Sequence, residues 1–147
     1  MLQIFQNRIL ICAVLAWLAA QVMKTVIYAV LNRGIDWKRL FGDGGMPSGH
    51  SATVSALATS CALVYGLASF EFAISLLLAI IVMHDAMGVR RETGKQAQLL
   101  TEISDILESL TDQELAEAKL KLFVGHTPFQ VTIGAVLGIL MALLFFH

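Results

Sequence analysis

Two histidines stand at the starts of apolar runs, each beside small residues and near cations, and phosphate chemistry is what that company suits. Met46-Pro47-Ser48-Gly49-His50-Ser51 opens one run and Gly125-His126-Thr127-Pro128 opens another. His84-Asp85-Ala86-Met87-Gly88-Val89-Arg90-Arg91 closes a third, with Lys95 just beyond, and Lys24 lies inside the first, about two turns from its end. The start of a helix directs free N–H groups and a positive dipole end at an anion. Gly49 beside Ser48 allows the backbone to come close to a tetrahedral oxyanion. Arg90, Arg91 and Lys95 add charge-assisted donors, and an arginine can grip a phosphate with two. Two histidines can divide the labour of phosphoryl transfer, one as nucleophile and one as general acid. No metal is needed for that scheme, although Asp85, in the last turn of an apolar run where an acid opposes the helix dipole, could take a divalent cation or an arginine as its partner.

The elements that must position these groups follow from hydropathy. The 147 residues are 57% hydrophobic and 14% charged, with a mean hydropathy of +0.75, where a soluble domain carries about 25% charged residues. Charge is absent from long stretches and clustered between them, the pattern of a chain that crosses a bilayer repeatedly. Four spans are expected, at about 9–31, 48–68, 72–87 and 128–146, each long enough for roughly 30 Å of hydrocarbon, the third least comfortably. The expected fold is therefore all-α: a polytopic membrane helix bundle of four transmembrane helices in one domain, 1–147. The first run lacks a convincing cleavage site and reads as a retained span. Ser48, Ala52, Ala56 and Ser60 recur at four-residue spacing in the second span, and Gly134 and Gly138 form a GxxxG pair in the last. Both are faces that allow helices to approach closely, within the chain or in a homo-oligomer.

Residues 89–125, between the third and fourth spans, are polar but periodic. Leu99, Leu100, Ile103, Ile106, Leu107 and Leu110 make an apolar stripe opposite Glu102, Asp105 and Glu108, as in an amphipathic helix lying at the interface or over the site. Thr111 and Glu114 fit a capping box that opens a second short helix. The net charge of −1 and the lack of a basic arm argue against nucleic acid as a partner. Cys12 and Cys61 lie inside apolar runs and read as small buried side chains.

Four crossings put the loop after the first span and the segment after the third on one side, and every motif above lies on that side. Of ten Lys and Arg residues, eight fall there: Arg33, Lys38, Arg39, Arg90, Arg91, Lys95, Lys119 and Lys121. The positive-inside rule makes that face cytoplasmic, although cations serving a site would give the same bias wherever it faced. Each residue also has a plainer reading. Lys24 can snorkel to the interface, Arg90 and Arg91 can be topological anchors, and Thr127, Pro128 and Gln130 together fit a capping box.

At these residues the sequence resembles the type 2 phosphatidic acid phosphatase superfamily, and most closely its small, divergent branch of membrane proteins. The superfamily's PSGH motif stands intact as Pro47-Ser48-Gly49-His50, and the region Gly125-His126-Thr127-Pro128-Phe129-Gln130-Val131, followed by Gly134 and Gly138, resembles its third motif. The run from Asp85 to Arg91, with Gly94 and Lys95, is similar to a signature of the divergent branch. The resemblance implies that His126 attacks phosphorus, that His50 protonates the leaving alkoxide, and that Ser48 and the Gly49 backbone hold phosphate oxygens. The chain departs from the pattern in three places. Lys24, Lys38 or Arg39 must stand in for the first motif, and Arg90 or Arg91 for a missing Ser-Arg pair. Gln130 occupies the place of the acid that orients the nucleophile, a role Asp85 could take instead. The larger relatives also have six spans.

The expected function is that of a membrane phosphatase or phosphotransferase working through a phosphohistidine on a lipid phosphate monoester or polyprenyl diphosphate, the apolar surroundings implying the lipid tail. A non-catalytic module that binds anionic lipid or a partner protein is the alternative, supported by Gln130 and the missing Ser-Arg pair. A lipid transporter is a third, with little room in four short spans.

Overall fold

The computed structural model describes residues 2–34, 45–88, 96, 98–103 and 126–147. A short 3-10 turn, Leu2–Gln6, leads into α1 (Arg8–Asn32), followed by α2 (Gly49–Tyr65), α3 (Phe70–Met87) and α4 (Pro128–Phe146), with no strand among the described residues. Each of the four helices begins on a side-chain cap. Asn7 Oδ1 accepts from the Leu10 N–H at 3.0 Å, Ser48 Oγ from Ser51 at 3.3 Å and Ser69 Oγ from Phe72 at 3.1 Å, while Thr127 and Gln130 form a reciprocal capping box. Gly66, at φ 86°, stops α2. The second span therefore ends three residues before the predicted Ala68, and the third, capped by Ser69, starts at Phe70, two residues before the predicted Phe72.

α1, α3 and α4 are long and apolar enough to cross a membrane. α2 has 17 residues, about 26 Å of helix, and carries Ser51, Thr53, Ser55, Thr59 and Ser60. It is the central element, packed on each of the other three. The burial pattern inverts that of a soluble bundle. Small side chains fill the interior, among them Cys12, Ala16, Ala56 and Ala142, while Val14, Leu18, Val22, Ile74, Leu78, Ile81, Leu140 and Leu144 face outward. Where the surroundings are hydrocarbon, large apolar groups gain nothing by turning inward, and close packing of small residues holds helices together.

The tightest seam lies between α2 and α4, which run parallel. A Cβ on Gly134 would overlap the carbonyl oxygen of Ser48 and lie 3.0 Å from Ser51 Cβ. One on Gly138 would overlap the carbonyl oxygen of Ala52 and lie 2.9 Å from Ala56 N. The two small-residue faces read from the sequence are thus partners of each other within the chain. α1 and α3 run antiparallel to α2, with Ala16 near Ala56 and Ala79 near Ala58. At the far end of the bundle the Arg8 guanidinium lies 5.2 Å from the Phe146 ring centroid. Residues 98–103 are helical and expose Leu99, Leu100 and Ile103. The remainder of the predicted polar segment, with its second capping box, lies outside the described residues.

Candidate active site

Two hydrogen bonds between helix ends assemble the opposite pole of the bundle. The Ser48 N–H donates to the Gln130 carbonyl at 3.1 Å, and the His126 N–H donates to the Ala86 carbonyl at 3.2 Å. The start of α2, the start of α4 and the end of α3 are thereby held at one level. A third element joins them: α1 runs antiparallel to α2 with Trp17 against Gly49, and Gln21, Lys24 and Thr25, further along α1 towards this pole, are buried on one face.

The histidines meet at this junction. The His50 and His126 rings have centroids 6.5 Å apart and are inclined at 60°. His126 is buried, as are Ser48, Gly49 and Ser51, while His50 is half-buried. Ser48 Oγ accepts from both the N–H and the hydroxyl of Ser51, at 3.3 and 3.0 Å. Its own proton remains to be donated. Gly49 sits under Trp17, whose Cδ1 would be 3.3 Å from a Cβ at that position.

Gln130 sets the state of His126. Its Oε1 accepts from the Thr127 N–H at 3.0 Å and lies 3.2 Å from His126 Nδ1. A backbone N–H can only donate, so the atom facing Thr127 is the amide oxygen. The same oxygen facing Nδ1 requires a proton on Nδ1, and in a neutral ring the lone pair is then on Nε2. The plain and the chemical readings of Gln130 coincide in one atom: it closes the capping box and fixes a tautomer.

Of the other residues singled out in the sequence, Asp85 is half-buried in the last turn of α3, next to the Ala86 carbonyl that holds His126. Lys24 is 2% exposed, too deep to snorkel. Arg90, Arg91 and Lys95 lie outside the described residues, as do Lys38, Arg39 and Gly125. Two residues passed over in the sequence also belong to this region. Trp17 covers Gly49, and Gln21 is buried one turn before Lys24 with its Oε1 unpartnered. The signal for Gln21 was its spacing: Gln21, Lys24 and Thr25 share one helical face and all three are buried.

A helix start bearing PSGH, locked to a second start bearing a histidine, is the arrangement that the family comparison bears on. The family model described as the divergent PAP2 family matches residues 5–141. The uncharacterized membrane protein YuiD of Bacillus subtilis (strain 168) is 38% identical over 151 residues, covering 97% of this chain and 96% of that protein. No solved structure matches. The chain belongs to the divergent PAP2 family. Together with its three long apolar helices, this identifies it as a membrane protein.

Proposed function

We propose that the protein is a lipid phosphatase or phosphotransferase that works through a phosphohistidine on His126. The observation carrying this reading is the histidine pair: two rings 6.5 Å apart, with Gln130 Oε1 3.2 Å from His126 Nδ1. Near-attack approach needs roughly 3–3.5 Å from nucleophile to phosphorus, and proton donation roughly 2.6–3.2 Å from donor to leaving oxygen. In this reading the phosphoryl group lies between the rings and meets both requirements. The Nε2 lone pair attacks phosphorus, the bond to the leaving alkoxide breaks, and protonated His50 gives that oxygen its proton. Water then attacks phosphorus, neutral His50 takes the water proton, and the N–P bond breaks to release phosphate. The Nδ1–H···Oε1 bond to Gln130 persists while the ring carries positive charge. Ser48 and the Gly49 backbone hold phosphate oxygens, with Lys24, Arg90, Arg91 and Lys95 as the neutralising cations and Asp85 as a charge near the nucleophile.

α2 is a fourth crossing in this reading. It runs antiparallel to both α1 and α3, and its start is bonded to the start of α4, so it traverses the same slab they do. The excess of Lys and Arg on the motif side supports a cytoplasmic site.

Purified protein in mixed micelles is to be tested for phosphate release from phosphatidic acid, phosphatidylglycerol phosphate and undecaprenyl diphosphate, with and without magnesium. His126→Ala and His50→Ala should each lower turnover by at least about 10³-fold, the scale set by losing a nucleophile or its acid. Equal turnover in wild type and both folded variants would refute the reading. Lipid phosphate binding without release, unchanged by Gln130→Glu, would instead favour the binding module, for which the specific support is an amide where a carboxylate would stabilise an imidazolium.

A further inference from the structure

α1 and α3 both pack on α2 but not on each other, and a crevice of about 340 Å³ remains between them. Val14 and Trp17 of α1, Val82 of α3, and His50, Thr53 and Val54 of α2 line it. Its wall is almost wholly apolar. The Thr53 hydroxyl is turned away, donating to the Gly49 carbonyl at 2.8 Å, so among the described residues the one ionisable group on the wall is His50.

We propose that this crevice holds the hydrocarbon chain of a lipid whose phosphate sits between His50 and His126. The inference rests on the site reading above and adds where the tail lies and which residues select it. Three observations commit the occupant to a lipid tail. The crevice is continuous with the candidate site through His50, so a molecule held there places its polar end at the histidine pair. It opens between helices whose outward residues are apolar, Leu18 on one side and Leu78 and Ile81 on the other, in a chain that belongs in a bilayer; a chain segment can therefore enter from the hydrocarbon without crossing water. Its volume, about 340 Å³, falls within the roughly 300–1,000 Å³ of ligand pockets, room for a segment of chain. Trp17, lying across Gly49 at the inner end, marks the level at which tail gives way to headgroup, where an amphipathic indole is best placed.

The test uses the full-length protein in mixed micelles with two variants from opposite walls, Val82→Trp and Val14→Trp; Val14 is already largely exposed, so its variant guards against a folding failure. Filling the crevice should lower kcat/KM for dipalmitoyl phosphatidic acid by about tenfold or more, equivalent to displacing about two buried methylenes. For a water-soluble dibutyryl analogue it should change little. Equal effects on both substrates, or on neither, would overturn the assignment. A phosphatidic acid carrying a photoactivatable group in its acyl chain supplies a readout that needs no turnover. It should label Val14, Trp17 or Val82, and labelling should fall in Val82→Trp. Labels spread over the outer faces of α1 and α3 and indifferent to Val82→Trp, or cross-links from the crevice to a second copy of the chain, would overturn it. Crevice labelling from a protein that releases no phosphate would sustain the tail site and refute the phosphatase reading alone.

Discussion

Replacing Gln130 separates its two tasks, because one oxygen performs both. Gln130→Met keeps the length and removes the acceptor. The fold loses one neutral hydrogen bond at an exposed helix start, from the Thr127 N–H at 3.0 Å, a cost of about 1 kcal/mol. The other half of the cap, Gln130 N–H to Thr127 Oγ1 at 3.3 Å, and the Ser48 N–H···Gln130 carbonyl bond use atoms the substitution leaves in place. Catalysis loses more. Without an acceptor 3.2 Å from Nδ1, the ring loses the contact that favours the proton on Nδ1, and a ring with its proton on Nε2 has no nucleophile there. Misplacing a reacting group by an ångström costs about 10²-fold, and a wrong tautomer in a serine-protease triad costs about 10⁴-fold, so kcat should fall within that range. Gln130→Glu retains an oxygen at both positions, and a negative charge in the first helical turn is favourable by about 0.3–1 kcal/mol. It should be at least as stable as wild type and should keep turnover. Phosphate release and thermal unfolding would be measured on all three proteins, with ¹⁵N NMR reporting which His126 nitrogen carries the proton. Wild-type turnover in folded Gln130→Met, or a wild-type spectrum with the proton on Nε2, would refute the reasoning and leave Gln130 a cap alone.

Two further substitutions test the frame. Gly138→Val forces side-chain atoms into the Ala52 carbonyl and should destabilise the protein by about 1–3 kcal/mol or more, read as a lowered unfolding temperature in detergent; an unchanged value would mean the α2–α4 seam is looser than described. Lys24→Met should weaken lipid phosphate binding at least about tenfold; unaltered binding by micelle titration would remove Lys24 from the site.

Much of this site was legible because it is written in local signals. Ser48 ahead of Gly49, and Thr127 ahead of Pro128 and Gln130, are helix starts by capping chemistry alone, and span counting put them on one side. The glycine pair at 134 and 138 and the small residues at 48, 52 and 56 were recognisable as contact faces, though not as contacts with each other, since that depends on how α2 and α4 meet. What escaped was set by tertiary packing. Trp17 has no motif; its place over Gly49 depends on how α1 packs on α2. Lys24 looked able to snorkel, but its helical face turns inward and the side chain is buried. The crevice beside His50 exists because α1 and α3 fail to meet, and no window of sequence records a missing contact.

The parallel seam between α2 and α4 has a mechanical consequence. With glycine backbone set against the Ser48 and Ala52 carbonyls and a bond between the helix starts, sliding or rotation of one helix on the other meets backbone at once. His50 and His126 are therefore carried by a single stiff strut, each borne within two residues of a helix start. α1 flanks the strut without meeting α3, whereas α3 is tied to it where the Ala86 carbonyl accepts from the His126 N–H. Tilting of α1 alone would therefore alter the width of the gap beside His50 and leave the spacing between the two rings unchanged.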